Sequence, residues 1–357
     1  GNFSKAKIKR ALFCVYNSNG EKEGENLKTK AIDEKQLMDG KLNFIRQPSR
    51  ELQAEVVKTL RTNVFATDAQ RLVKGFAGER QFDETYSIFA QDSWDYLTDF
   101  HFELGTLTQL DAILITPGHI HVYEVKNYPA YCQVQNDIFS YNGQPLASNP
   151  FNQLRAIKSR FNSLLSLIGY QGQASYHLVM INKDCYFKDR DQFSDVLMRN
   201  ELKLHFQSLQ RAPYKKNPPN LLEKIKRFET DNPYNKNYAF DYRDLPPGIL
   251  CYKCGSLDTY PSYKQIKCRN CGHAISKTKA LRNLIGELSI LDLNTPIRTH
   301  DIHQYSGGML SRKFLAERTS RLLKQNKPGS HKYKPCIQMY DFLTLYNILR
   351  YKFPVNK

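Results

Sequence analysis

The sequence contains no run approaching the roughly 18 consecutive apolar residues that a helix needs to cross a bilayer, and its mean hydropathy is −0.58. Residues 1–10 also lack the apolar stretch of a secretory signal. A membrane or secreted protein is therefore not expected, and a cytoplasmic one is. Tryptophan occurs once, yet Tyr and Phe bring the aromatic fraction to 12%, too high for a disordered chain. Acidic residues are scarce: 35 Asp and Glu face 52 Lys and Arg, for a net charge of +17. That imbalance favours a polyanionic partner, nucleic acid first and an anionic membrane surface second. The 357 residues suffice for one large domain or two ordinary ones.

The positive charge is concentrated late in the chain. Residues 251–357 hold 19 Lys and Arg against 6 Asp and Glu, so +13 of the +17 lies there. A solvated basic surface is the plain reading of such a block, and a nucleic-acid contact is the sharper one. Cysteine is clustered in the same way. Of 8 Cys, four form two Cys-x-x-Cys units, Cys251/Cys254 and Cys268/Cys271, with 13 residues between them. Two such knuckles in a chain without secretory features read as metal ligands before disulfides. Four thiolates suit tetrahedral Zn²⁺ in a closed structural site. Gly255 and Gly272 follow the second cysteine of each pair, where a knuckle needs backbone freedom. His273 is an alternative ligand, but four cysteines are the simpler set.

Hydrophobic periodicity outlines the rest. Residues 1–50 are charged and turn-rich; Leu12, Phe13 and Val15 suggest a short element before the breaker Asn17-Ser18-Asn19-Gly20. Leu52, Val56, Val57 and Leu60 lie on one helical face, after which Gly75 and Gly78 are expected to interrupt the helix and Glu79 to open another. Residues 110–116 read as a buried strand, Pro117-Gly118 as a turn, and residues 119–126 as the return strand. Residues 151–167 form a helix with Leu154, Ile157, Phe161, Leu164 and Leu165 on one face, and residues 176–181 another strand. Strand, helix and strand in this order indicate an α/β core with a mixed sheet.

The hairpin carries the chemistry. Asp111 and Glu124 lie symmetrically about the Pro117-Gly118 turn, so an even-length loop sets them opposite one another on one face. Lys126 follows on that face, because the strand period is two. Opposed like charges destabilise a sheet unless a cation lies between them. Mg²⁺ meets that need, taking one or two carboxylates and leaving other positions to water and phosphate oxygens. A lysine beside it stabilises charge that develops on phosphorus. The plain alternative is an exposed Lys126–Glu124 salt bridge with Asp111 capping a strand, and spacing alone does not choose between them. His119 and His121, on the same strand, read as sheet-surface or hydrogen-bonding residues rather than ligands.

Gly78-Glu79-Arg80, then Gln109-Leu110-Asp111, then Glu124-Val125-Lys126-Asn127-Tyr128, then Asn149-Pro150 with Gln153-Leu154 together resemble the nuclease-related domain (NERD) family. That family is placed in the PD-(D/E)xK nuclease superfamily, and the four motifs occur in its order. The resemblance implies a restriction-endonuclease-like α/β core. It further implies Glu79, Asp111 and Glu124 as ligands of a catalytic Mg²⁺ or Mn²⁺, and Lys126 as the cationic catalyst. Gln153 would face the site from the next helix, although a surface glutamine or helix cap is an equal reading. Related exonucleases carry Gln-x-x-x-Tyr on this helix; position 157 here is Ile, so exonuclease-like handling of a strand end is not supported.

The expected organisation is an N-terminal extension over residues 1–50 and a nuclease-like domain over 51–210. Linker or surface loops around a helix at residues 221–228 follow over 211–248, then a Cys₄ zinc ribbon over 249–275. A basic helical region over 276–357 has a helix-turn-helix-like outline at residues 299–324, with a helical bundle packed on the ribbon as an equal reading. Lys253, Lys264, Lys267 and Arg269, among Tyr252, Tyr260 and Tyr263, could meet phosphates and bases. Arg312, Lys313, Arg318, Arg321 and Lys324 would contact phosphates from the last long helix of that outline. A metal-dependent nuclease, acting on DNA before RNA in defence or DNA processing, is the leading expectation. The alternative is a catalytically silent nucleic-acid-binding or adaptor protein. No membrane partner is expected, and a protein partner or homo-oligomer stays open.

Overall fold

The structure, a computed structural model, describes residues 46–232, 239–325 and 332–354. The element expected near Leu12, Phe13 and Val15, with the breaker after it, lies outside them. The described residues divide into two compact units, 46–232 with 345–354 and 239–325 with 332–344.

The first unit begins with helices α1 (Arg50–Thr62) and α2 (Thr67–Ser87). The Ser49 hydroxyl caps α1 by accepting from the Leu52 amide, and Leu52, Val56, Val57 and Leu60 are buried as their spacing requires. The break falls at Asn63, which ends α1 with φ 58°, and not at the glycines. Helix α2 runs unbroken through Gly75 and Gly78. Each glycine costs about 1 kcal/mol against alanine in a helix; burial of Val73, Phe76, Phe82 and Tyr86 along α2 offsets it.

Strands β1 (Asp95–Leu104), β2 (Thr106–Thr116) and β3 (His119–Lys126) form an antiparallel meander. Strand β1 carries no strong periodic signal and was not expected from the sequence. A second small sheet follows, built from β4 (Tyr131–Gln135), β5 (Ile138–Tyr141), β6 (Gln144–Pro145) and, further on, β8 (Tyr186–Phe187). Helix α3 (Pro150–Leu167) then leads back to β7 (Gln173–Met180), parallel to β3, with β9 (Val196–Met198) beyond it. The main sheet is thus mixed, in the order β1-β2-β3-β7-β9.

Alternation sorts the sheet's side chains between two cores. On one face Ile113, Ile115, Ile120, Val122 and Leu178 pack with Leu154, Ile157, Phe161 and Leu164 of α3. On the other Ala112, Leu114, Tyr123, Val125 and Val179 pack with Phe82 and Tyr86 of α2 and with Phe206 of α4 (Leu202–Gln210). Within the stretch expected as linker or loops, Leu221 and Ile225 of α5 (Leu221–Lys226) are buried in the first core. Asn217 bonds both sides of the Pro117-Gly118 turn, its Oδ1 accepting from the Gly118 amide and its Nδ2 donating to the Thr116 carbonyl.

The second unit holds a three-stranded sheet, β10 (Thr259–Pro261), β11 (Gln265–Cys268) and β12 (Ala274–Ser276), followed by α6 (Lys277–Leu291). Ser276 caps α6, which is buried along most of its length. Glu287, buried in α6, accepts from the hydroxyls of Tyr252 and Tyr305 at 3.0 Å each. Strand β13 (Ile297–Arg298), α7 (Thr299–Tyr305), a turn through Gly307 and Gly308, and α8 (Arg312–Leu322) follow. Strand β14 (Lys332–Tyr333) pairs with β13. Among the described residues no helix is long and apolar enough to cross a membrane.

The last helix, α9 (Phe342–Lys352), carries residues of the first unit from 345 on. Tyr346 packs edge-on against Phe76 of α2 at 5.4 Å, and Phe353 lies 5.3 Å from Phe65. Tyr346→Ala should therefore destabilise the first unit by about 3–5 kcal/mol, the cost of removing a large buried ring. Urea unfolding followed by circular dichroism would read this as a lower midpoint of one transition; an unchanged midpoint would show that the helix contributes nothing there.

Candidate active site

The end of β3 gathers the residues singled out in the sequence. Pairing of β2 with β3 follows the expected register, Ala112 opposite Tyr123 and Thr116 opposite His119. The ladder stops one residue short of the acidic pair, and there the Asp111 Oδ2 accepts from the Val125 amide at 2.8 Å. Asp111, Glu124 and Lys126 share the face that α3 covers, by the same alternation that sends Ile113, Ile120 and Val122 into its core. Asp111 and Glu124 are buried, at 7% and 2% exposure.

Lys126 Nζ donates to Glu124 Oε1 at 2.6 Å and to Gln153 Oε1 at 3.0 Å. Helix α3 delivers Gln153 there because Asn149 caps it, its Oδ1 accepting from the Phe151 amide, and Pro150 presets the first turn. Gln153 thus occupies the first turn, beside the end of β3.

Glu79 reaches the site from α2. A Cβ on Gly78 would lie 2.7 Å from the Cβ of Asn127 and 3.1 Å from Ile181 Cγ2, so only glycine lets the helix approach this closely. Asn127 fastens the approach: its Nδ2 donates to the Lys74 carbonyl at 2.8 Å, and its Oδ1 accepts from Asn182 at 2.7 Å.

Three participants were not anticipated. Arg46, buried at 4% exposure, donates to Asp83 Oδ2 (2.9 Å), Asp83 Oδ1 (3.1 Å), Glu79 Oε2 (3.0 Å) and the Asp111 carbonyl (2.8 Å). Asp83 also accepts from the Tyr96 hydroxyl at 2.6 Å. Asp99 falls in a break of the β1–β2 ladder opposite Asp111, with φ 53°. Its carboxylate accepts from Gln109 Nε2 at 2.7 Å. Acidic spacing on α2 (Glu79 with Asp83, four apart) was the available signal for Arg46's partners; a lone arginine in an irregular segment offered none.

The electrostatics follow from this crowding. Burial, then the charge of Asp111, pushes the Glu124 carboxyl up to about 7 against the pull of Lys126. Burial and then Asp111 also raise Glu79, whose side chain stays 22% exposed, while Arg46 opposes them. Lys126 loses to burial but is raised overall, because Glu124 and Asp111 hold its ammonium. Glu124 Oε2 is buried and has no hydrogen-bond partner. A buried carboxylate oxygen left without a donor, with the Asp111 carboxylate close enough to act on it, is the donor chemistry that hard divalent cations take. Glu79, Asp111 and Glu124 do not draw together into a three-ligand group as the four cysteines of the second unit do.

The second unit gathers the four cysteines. Sγ atoms of Cys251 and Cys271 lie 3.7 Å apart, as do those of Cys254 and Cys268, and all four lie within 4.8 Å of one another. Tetrahedral zinc with Zn–S of about 2.3 Å spaces its sulfurs about 3.8 Å apart, so the donor set fits that ion. The knuckles close through Gly255 and Gly272, whose amides donate to the Cys251 and Cys268 carbonyls with φ of +66° and +69°. His273 is outside the group and offers its carbonyl to the Cys268 amide. Around the cluster Arg269 stacks on Tyr260 at 4.4 Å and Tyr263 is 88% exposed. Tyr252 differs from expectation: its hydroxyl is engaged by Glu287 inside the unit.

The model of the nuclease-related domain matches residues 74–182, the span from α2 to the end of β7. The chain contains a nuclease-related domain. A restriction-endonuclease-like core agrees with its mixed sheet, and a nuclease-related function follows from it. No curated protein and no solved structure matches the chain.

Within the nuclease-related domain, Asp111 and Glu79 depend on Arg46, which lies upstream of the matched span. Arg46→Met should leave Asp83 and Glu79 without their buried partner and cost about 3–5 kcal/mol. Denaturant unfolding checks this. A loss below about 1 kcal/mol, the range of an exposed pair, would show that the guanidinium is not needed.

Proposed function

We propose that this protein is a metal-dependent nuclease that hydrolyses phosphodiester bonds, with DNA as its first substrate. The observation that carries the proposal is the convergence of Asp111, Glu124, Lys126 and Gln153 at the end of β3, with Glu79 on α2 beside Arg46. In this reading Asp111, Glu124 and Glu79 hold Mg²⁺ or Mn²⁺, and the orphaned Glu124 Oε2 is the oxygen that most needs such a partner. When bound, the cation supplies Lewis-acid charge to a phosphate oxygen and lowers the pKa of a bound water.

The chain's own groups do the remaining work. Lys126 stays charged at neutral pH because two carboxylates hold it, and it places a donor where negative charge grows during attack on phosphorus. Gln153 steers that ammonium from α3. Arg46 fixes Asp111 through its carbonyl and Glu79 through its carboxylate, which leaves the Asp111 side chain free of that duty. Affinity for the polyanion comes from the second unit, where Arg312, Lys313, Arg318, Arg321 and Lys324 are exposed along and just beyond α8. The Cys₄ cluster serves that unit as a structural zinc site.

A silent nucleic-acid-binding protein is the competing reading, and the Lys126–Glu124 ion pair by itself is compatible with it. Cleavage assays on plasmid, linear and single-stranded DNA and on RNA, with Mg²⁺, Mn²⁺ or chelator, separate the two. We expect wild-type cleavage that chelation abolishes. Lys126→Ala should lower it by about 10²–10³-fold, the loss typical of one transition-state donor, with affinity nearly unchanged. Replacing Arg312, Lys313, Arg318 and Arg321 by glutamine should do the converse, weakening binding and reducing the salt slope by about 0.9 per lost phosphate contact. Substitution is preferable to truncation after residue 248, which would also remove residues 345–354 from the first unit. Full cleavage by Lys126→Ala would sink the assignment, and wild type inert with both metals would favour the silent binder.

A further inference from the structure

The opposite face of β3 carries a second constellation. His121 of β3, His177 of β7 and His205 of α4 each bring one ring nitrogen to within 4.8 Å of the other two. Their rings meet at centroid distances of 5.8 Å (His121–His177), 4.9 Å (His177–His205) and 6.0 Å (His121–His205). His121 is 5% exposed, so the sheet-surface role expected for it does not hold. His119 does find a hydrogen bond, to the Ser175 hydroxyl at 2.8 Å, and stacks on His121.

The hydrogen-bond inventory is what sets this cluster apart from an aromatic core. Nδ1 of His121 and both ring nitrogens of His177 are buried without a hydrogen-bond partner. Each orphaned group carries a desolvation cost that phenylalanine at the same positions would avoid. Side chains that pack like aromatics yet keep unpaired nitrogens, each neutral ring offering one lone pair, point to something that takes up lone pairs. We propose that His121, His177 and His205 form a metal site for a zinc-class divalent cation, separate from the four cysteines and from the carboxylates at the end of β3.

Several features fit that ligand. Imidazole suits zinc and its neighbours, whereas Mg²⁺ prefers oxygen, so the two faces of β3 select different ions. Only neutral imidazole ligates, and burial keeps these rings neutral: His121 is pushed down to about 2, His177 to about 3 and His205 to about 4, the neighbouring imidazoles adding to burial for the first two. A tetrahedral zinc with Zn–N of about 2.0–2.1 Å spaces donors about 3.3 Å apart, so the rings need to close by at most about 1.5 Å. The Tyr123 hydroxyl lies 2.9 Å from His205 Nε2 and holds that ring in place, as outer partners hold ligating imidazoles. Three histidines from three elements would clasp α4 to the centre of the sheet.

Metal analysis of the full chain tests this. Protein loaded with ZnCl₂ and dialysed against buffer containing Mg²⁺ should hold about two zinc ions per chain, one on the cysteines and one on the histidines. His177→Phe, which keeps a ring beside Tyr123, and His205→Phe should each lower the content to one, while Glu124→Ala keeps two. X-ray absorption at the zinc edge adds a readout that needs no variant: wild type should show nitrogen as well as sulfur ligands. One zinc per chain with sulfur ligands alone would overturn the proposal, as would a second zinc lost in Glu124→Ala but kept in His177→Phe.

Discussion

Charge compensation at the end of the main sheet is the constraint on which the first unit depends. Asp83, Asp99, Asp111, Glu79 and Glu124 crowd a region largely withdrawn from water, and they would drive α2 and the strands apart without cations among them. Arg46 and Lys126 are those cations, and they differ in kind. Arg46 is enclosed, its donors shared among two carboxylates and a carbonyl, so it behaves as a fixed strut. Lys126 has one carboxylate and one amide oxygen at its tip and keeps 19% of its side chain exposed, so it can turn toward a newcomer. The strut builds the site, and the partly exposed ammonium is available to it.

The two units divide the physical tasks. In the first, polar groups converge at one sheet end and the net charge is modest. In the second, Glu287 ties Tyr252 and Tyr305 around a buried helix, while the Arg and Lys of α8 point to solvent. Most of the chain's excess positive charge lies in this second part of the sequence. A basic surface attracts any polyanion without regard to chemistry, whereas the carboxylate end of β3 can act only on what reaches it. In the proposed nuclease these would be affinity and reaction respectively.

Much of this was legible because it is local. The hairpin register, the face shared by Asp111, Glu124 and Lys126, the apolar face of α3 and the paired cysteine knuckles all follow from spacings of a few residues. What escaped depends on contacts distant in sequence. Arg46 lies 65 residues from Asp111 and no periodicity announces it. Gly78 looked like a breaker because propensity counts only its own helix, not the approach of Asn127. Strand β1 escaped because its polar residues, with Asp99 in a break of the ladder, blur the alternation. His121 was read from its strand alone, while its surroundings come from β7 and α4.

The Pro117-Gly118 turn has a consequence for how this chain can change in length. Because a strand alternates with period two, adding or deleting one residue there would exchange the faces of β3 relative to β2. Glu124 and Lys126 would be driven into the aromatic core beside Phe82 and Phe206, and His121 and Tyr123 would turn toward α3. A central strand with a different chemistry on each side has no harmless slip. Substitutions on either face alter one set of residues, but a single-residue insertion or deletion would dismantle both together, and Asn217, bonded to both sides of the turn, holds that parity in place.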